Sequence, residues 1–459
     1  MNASSRFTIL YSFLIACLIF VLLAAFVFQG ILSWSAGLIY IAYDSFIQCL
    51  VVWISSKSLD GNPVLPLAKM SNQPLPTVSA VIPARNEKSV LGECLEALNT
   101  QTYIPEEIII VDDGSTDGTL EWLTERFQLH FKENYAKSLV QSNLRVIRKE
   151  QSGKADSLNF GWQKAESEVV VTIDADTVLE PDAMLEVCRA FAEDPNLAAA
   201  GGVLAPRCEK SGTGGIFQFY QTFEYFRSFL ERYAWMSFGT LILVSGAFSA
   251  FRRTILQKLN GFDKKSMVED YELIYRLYRD SVSRGLRPNV RVIGSARAVT
   301  DAPSNVKNFL RQRSRWFAGF LETLFQNKEM VANPRYGRFG LFMLPMKLVD
   351  TLKPIYGLLA LAIFLGYLTA GFRPYLFIIY ILTGKLLFDL ILHCRAFILF
   401  HRWQAKEIGP LLWVRSMLAI LTEPFLFQIL RHVAAVLGVI AYLNGRIGWA
   451  HQREIPTKV

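Results

Sequence analysis

The sequence predicts an α/β domain inserted between transmembrane helices, on three observations. Apolar residues fill 52% of the 459 positions and charged residues only 19%, against roughly 25% charged in ordinary soluble domains. Apolar runs long enough to span a bilayer lie toward both ends of the chain. Between them, over residues 75–335, β-branched runs alternate with amphipathic stretches, the rhythm of a parallel sheet with crossover helices.

From Phe7 to Tyr43 no charged residue occurs. Gln29 and Gly30 divide the run into two expected spans, 8–28 and 31–54, each near the ~20 helical residues that cross a ~30 Å hydrocarbon layer. A cleaved signal peptide would have a shorter apolar core and no second run directly behind it. Two spans return the chain to its starting side, beside Lys57 and Lys69, and Arg6 precedes the first without an acid; this points to the cytoplasm. Residues 1–56 therefore read as a membrane hairpin and residues 57–335 as the cytoplasmic domain with its interfacial helices.

Within that domain the expected strands are 77–83, 107–111, 144–148 and 169–174, with helices at 89–99, 119–127 and 155–165. The stretch 216–235 is dense in aromatics, among them Phe217, Tyr220, Phe223, Phe226 and Trp235, and reads as an interfacial helix beneath the domain. Residues 336–459 form the C-terminal membrane region. A hairpin, 354–372 and 374–400, turns at Gly371, Arg373 and Pro374 and runs into a basic loop with His401, Arg402 and Lys406. His393 reads as a span end without chemistry. The block 410–443 is broken by Arg415, Glu423, Arg431 and His432, so it is either an interfacial helix plus one span or a single tilted span.

Several function classes drop out. The net charge of +8 is thin over this length and forms no long basic run, so no nucleic-acid partner is expected. Six scattered cysteines make no zinc or redox framework. Neither a Gly-x-x-x-x-Gly-Lys loop nor a Gly-x-Gly-x-x-Gly turn after the first strand is present, which removes P-loop hydrolysis and nicotinamide binding.

Ligands of parallel sheets sit beyond the carboxyl ends of the strands. Here those ends carry residues 83–87 (Pro-Ala-Arg-Asn-Glu), 112–118 (Asp-Asp-Gly-Ser-Thr-Asp-Gly) and 174–176 (Asp-Ala-Asp). Acids gathered on one rim repel unless cations neutralise them. Asp174 and Asp176, at i and i+2, suit a hard divalent ion completed by substrate phosphates. Taken singly, Asp-x-Asp is common and Asp-Gly-Ser is a turn.

The ordered set resembles the membrane-embedded family 2 inverting glycosyltransferases, the group of hyaluronan, chitin, cellulose and poly-N-acetylglucosamine synthases. Its parts are 81–87 with 112–117, the segment 153–161 (Gly-Lys-Ala-Asp-Ser-Leu-Asn-Phe-Gly), Asp174-Ala175-Asp176, 245–253 with Val268-Glu269-Asp270, and Gln312-Arg313-Ser314-Arg315-Trp316. The resemblance implies a GT-A (Rossmann-like) domain. It implies donor contacts from Pro83, Arg85, Glu87, Asp113, Lys154, Asp174 and Arg315, with Mg²⁺ or Mn²⁺ on Asp174 and Asp176. Asp270 would be the catalytic base, beside Glu269, and Gln312, Arg313, Arg315 and Trp316 would border the acceptor channel. The expected partners are a UDP-sugar donor, a polysaccharide or lipid-linked acceptor, membrane lipid and accessory export or regulatory subunits.

The chemistry of the residues agrees with these roles: a leaving diphosphate needs cationic stabilisation, an attacking hydroxyl needs a base, and Trp316 offers a sugar a flat face. Two plainer readings stand beside it. Glu269 and Asp270 also suit an ordinary acidic helix start, and Arg311, Arg313 and Arg315 suit a headgroup anchor. Val268 departs from the family's usual Thr, and no cyclic-nucleotide barrel follows the last apolar block, which weakens a cellulose reading. The expected activity is polymer extension, with single transfer to a lipid or a catalytically silent assembly subunit as alternatives.

Overall fold

The computed structural model describes residues 3–27, 30–61, 74–210, 212–372 and 374–445. Lys69 and Arg373, used above for sidedness and for a turn, lie outside them. The chain opens with helices α1 (Ala3–Val27) and α2 (Ser35–Gly61), joined through a short 3₁₀ turn at Gly30–Trp34.

The central domain then runs β1 (Val78–Ala84), α3 (Leu91–Asn99), β2 (Glu107–Asp113), α4 (Thr119–Phe127), β3 (Tyr135–Lys137), β4 (Leu144–Lys149), α5 (Lys154–Lys164), β5 (Val169–Ile173), β6 (Thr177–Leu179), α6 (Ala183–Glu193), β7 (Ala199–Arg207), α7 (Gly214–Ser237), β8 (Phe248–Arg252), α8 (Arg253–Lys258), α9 (Glu269–Ser283), β9 (Val290–Asp301) and α10 (Val306–Gln326). The C-terminal helices are α11 (Leu344–Thr369), α12 (Pro374–Trp403), α13 (Pro410–Thr422) and α14 (Phe427–Leu443).

Nine strands form one sheet in the order β3-β4-β2-β1-β5-β8-β7-β9-β6. The expected parallel core, β4-β2-β1-β5, is present. Strands β1, β2 and β5 are buried on both faces, as in Ile108–Val111, which is why they read as apolar runs without alternation; β4, with Arg145 and Arg148, is only partly buried. Helix α5 lies tightly on this core. A Cβ at Gly161 would sit 2.3 Å from Val81 Cγ1, so the last residue of the 153–161 segment must be glycine for the helix to approach β1. The reading of the sequence did not contain β6, β7, β8 and β9, which extend the sheet through antiparallel β5–β8, β8–β7 and β9–β6 pairs and a parallel β7–β9 pair.

Among the described residues three helices are long and apolar enough to cross a membrane: Leu32–Leu59, Phe339–Thr369 and Tyr375–Trp403. The block expected as either an interfacial helix plus a span or one tilted span is a pair of helices, Pro410–Phe425 and Phe427–Leu443, bent by 51°. Three further expectations change. The first C-terminal helix starts at Leu344, ten residues before residue 354, and takes in Lys347, Asp350, Lys353 and an internal Pro354. These charges are tolerated because Lys347 pairs with Asp350 at 3.0 Å and Lys353 with Asp44 at 2.5 Å.

His401 and Arg402 are not in a loop but close α12, where Trp403 packs against Gly294 and Lys406 reaches Glu180 at 3.3 Å. His393 is likewise no span end: it is buried within α12, 2.6 Å from Ser416 Oγ.

Helix α7 is the platform between the sheet and the long apolar C-terminal helices. Its Phe226 meets Phe397 and Phe400 of α12 edge-on, and its Tyr220 stacks on Phe427 of α14. Helix α14 also grips α10: a Cβ at Gly438 would lie 2.6 Å from the Ser314 carbonyl oxygen and 2.9 Å from Phe317 Cβ. The segment carrying Gln312–Trp316 is thereby fixed against a membrane-type helix.

Candidate active site

The strand ends behave as the sheet geometry requires. At the end of β1, Asn86 adopts a left-handed backbone (φ 57°), a conformation Asn tolerates well. Its carboxamide oxygen accepts from Thr116 N–H at 2.8 Å, tying the 83–87 turn to the Asp-Asp-Gly-Ser turn after β2. Arg85 donates to Gln151 Oε1 at 2.7 Å. Asp113 is buried, and its carboxylate is already filled by Lys149 Nζ (2.5 Å), Ser152 N–H (2.8 Å) and Gly153 N–H (2.9 Å). It therefore holds the N-terminus of α5, and with it Lys154, against the second strand.

Lys154 is the hub. Its ammonium lies 2.6 Å from Asp174 Oδ1 and 3.2 Å from Glu269 Oε1, linking the Asp-x-Asp turn to the start of α9. Burial works against its charge, but Asp174, Glu269 and Asp270 outweigh this and hold its pKa above the usual lysine value.

Asp270, the second residue of α9, accepts from Gly246 N–H at 2.7 Å and from Tyr271 N–H at 2.9 Å. Burial and the neighbouring Glu269 push its carboxyl up to about 6, against the opposing pull of Lys154. Asp176 also rises to about 6, through burial and the nearby Asp174 and Asp301, despite a bond from Thr300 Oγ1 at 3.2 Å.

Among the described residues no group of three or more His, Cys, Asp and Glu side chains forms a ready metal cage. The donor set is instead two carboxylates, one of them short of positive charge. That fits a hard divalent ion finished by substrate oxygens better than a structural metal.

On α10, Arg313 turns away from the strand ends. It pairs with Glu224 of α7 at 2.7 Å and covers the Trp316 ring at 4.2 Å, so it orients the tryptophan. Arg315 donates to the Met267 carbonyl at 3.0 Å, just before Glu269.

These groups share one space. A cavity of about 2230 Å³ is lined by Arg85, Glu87, Lys154, Asp174, Asp176, Glu269, Asp270, Gln312, Arg313, Arg315 and Trp316. A small adjoining recess adds Pro83 and Asp113. From Trp316 the cavity continues between α2, α11, α12 and α14 as far as Trp34 and Phe364.

Its membrane-side wall is charged in clusters. Asp44 binds Lys353 (2.5 Å) and Lys385 (2.8 Å), and Lys385 also holds Asp389. Glu423 binds Arg227 and, at 2.6 Å, Arg431. Lys347 faces Asp350 at 3.0 Å and Glu231 at 3.6 Å. Sequence reasoning noted Glu423 and Arg431 only as breaks in an apolar block and passed over the rest, although Asp44, Lys385 and Asp389 inside apolar runs are the kind of signal that marks an intramembrane polar path. It also passed over Thr300 and Asp301, which sit on β9, a strand it had not drawn.

Residues 79–259 match the family described as Glycosyl transferase family 2. The chain carries a family 2 glycosyltransferase domain. This glycosyltransferase is 27% identical to the poly-β-1,6-N-acetyl-D-glucosamine synthase of Staphylococcus epidermidis over 316 residues, 68% of this chain and 71% of that one. It is 28% identical to the probable glycosyltransferase YdaM of Bacillus subtilis over 56% of this chain and 58% of that protein. Among solved structures, the mannosyltransferase PcManGT from Pyrobaculum calidifontis, in complex with GDP-Man and Mn²⁺, superposes with a TM-score of 0.53. It is 17% identical, and the match spans 88% of this chain and 99% of that one. The GT-A-like sheet is thus common to both.

Proposed function

We propose that this glycosyltransferase adds sugars from a UDP-sugar to a growing β-linked polysaccharide by a single inverting displacement, and passes the product through its own membrane helices. Continuity carries the reading: one cavity joins Asp174, Asp176 and Asp270 to Trp316 and then to Asp44 and Trp34. The synthase names of the Staphylococcus relatives support a polymer product. On this reading residues 1–56 anchor the chain, 57–335 catalyse on the cytoplasmic side of a bacterial inner membrane, and 336–459 complete the passage.

Asp270 is the base. It takes the proton of the acceptor hydroxyl as that oxygen bonds to the anomeric carbon, while the bond from that carbon to the diphosphate oxygen breaks and its electron pair leaves with UDP. With no protein nucleophile, one displacement inverts the centre. Asp174 and Asp176 would hold Mg²⁺ or Mn²⁺, which supplies Lewis-acid stabilisation of the departing diphosphate; the Mn²⁺ of the mannosyltransferase neighbour supports a divalent ion. Lys154 and Arg315 add fixed positive charge, Asp113 and the 83–87 turn shape the nucleoside recess, and Trp316 packs on the acceptor sugar.

The ion pairs set along the cavity at Asp44, Lys353, Lys385 and Glu423 suit a hydroxyl-bearing glycan better than the tail of a lipid acceptor, which needs an apolar groove. The test is Asp270→Asn. Transfer is lost while metal-dependent UDP binding, measured by calorimetry, persists; undiminished turnover removes Asp270 as the base.

A further inference from the structure

We infer that Arg232 is an acceptor-binding and specificity-determining residue: its guanidinium donates to the acetamido carbonyl of an acceptor sugar and so selects an N-acetylated chain. The inference rests on the polymerisation reading above. Arg232 lies on α7 and lines the same cavity as Trp316 and Asp270. It follows Glu224 by two helical turns, about 12 Å along the axis, and Glu224 holds the arginine that covers Trp316. Its Nη1 is buried and has no hydrogen-bond partner. The adjacent acid gives no help, because Glu231 accepts from Trp235 Nε1 at 2.9 Å and faces Lys347 at 3.6 Å. The Phe229 ring, 4.5 Å from the guanidinium carbon, restrains the side chain.

A buried cation without a partner costs stability. Other cations of the cavity avoid that cost: Lys353 and Lys385 share Asp44, and Arg227 and Arg431 share Glu423. At Arg232 burial outweighs the support that Asp270 gives the charge, and the pKa falls below the usual arginine value. The missing partner is one that the substrate brings. A guanidinium only donates, so that partner is an oxygen that accepts. A hydroxyl accepts but must also place its own proton, whereas an amide carbonyl only accepts. Asp270 and Glu231 lie within electrostatic reach of Arg232 and disfavour a further carboxylate beside them, which leaves the neutral carbonyl.

The experiment uses the full chain in proteoliposomes making labelled polymer. Three short β-linked competitors of equal length are added, one of N-acetylhexosamine, one of plain hexose and one containing hexuronate. The wild type is expected to be inhibited by the N-acetylated competitor at least about tenfold more strongly than by either of the others, the scale of a hydrogen bond to a charged group. Arg232→Met is expected to lose most of that preference and Arg232→Lys to keep part of it, with UDP affinity by calorimetry unchanged in both. Because the charge has no partner to lose, Arg232→Met is also expected to melt no lower than the wild type. Equal or no inhibition of the wild type by the N-acetylated and hexose competitors, strongest inhibition by the hexuronate one, or an unchanged preference in folded Arg232→Met overturns the inference while polymerisation stands. A lower melting point together with weakened UDP binding assigns Arg232 a structural role and overturns it too. If the labelled product is only a lipid bearing one sugar, the polymerisation reading falls first and this inference with it.

Discussion

Lowering the pH through 6 should switch the enzyme off for a reason that can be read from the site. Asp270 titrates near 6 instead of the ordinary 3.8, because it is buried beside Glu269. A general base works only when ionised. At about pH 5 roughly one-tenth of such a group is ionised, whereas a carboxylate at its ordinary value would be more than nine-tenths ionised. The acid limb of kcat/KM should therefore fall about one log unit per pH unit below 6, since kcat/KM reports the free enzyme.

Asp176 also titrates near 6, and as an ion ligand it must lose its proton to bind. At limiting Mn²⁺ the limb should steepen toward about two log units per pH unit, and saturating Mn²⁺ should return it to about one. The assay is initial-rate sugar transfer across the pH range at two fixed metal concentrations. A rate that stays flat to pH 4.5 at saturating metal refutes the assignment of Asp270; a slope indifferent to metal refutes that of Asp176.

Lys154→Met removes the charge that holds Asp270 down, so residual activity should show its acid limb displaced to higher pH in the same assay. Asp176→Ala should suppress metal-dependent UDP binding by calorimetry. Gly161→Ala forces a methyl into Val81 and should destabilise the domain by about 1–3 kcal/mol in thermal unfolding, the usual cost of overpacking. Gly438→Val should part α14 from α10 and lower polymer output, with any loss of UDP affinity smaller than the loss of output, because of the donor contacts only Arg315 lies on α10.

Much of the fold was legible because its signals are local. Strands β1, β2 and β5 are apolar runs that end in polar turns, and the residues assigned to the site from sequence all line the cavity or its recess, because strand ends converge by construction. The antiparallel half was harder to read. β6, at Thr177–Leu179, is three residues long, and β7, at Ala199–Arg207, holds two glycines and a proline, so neither has a pattern that distinguishes it from loop. The early start of α11 was missed because Lys347, Asp350 and Lys353 look like span-ending charges until their partners in space are known. Arg313 looked like an acceptor ligand, and only Glu224, 89 positions away, shows that it steadies Trp316.

The most direct measurement is a cryo-electron microscopy map of the membrane-reconstituted enzyme stalled in the presence of Mn²⁺ and its sugar nucleotide. The account predicts density for the ion between Asp174, Asp176 and the diphosphate, the newest sugar beside Asp270, and glycan running past Trp316 toward Asp44. A nucleotide seated away from those carboxylates, or a polymer emerging outside the helix-lined cavity, would contradict it.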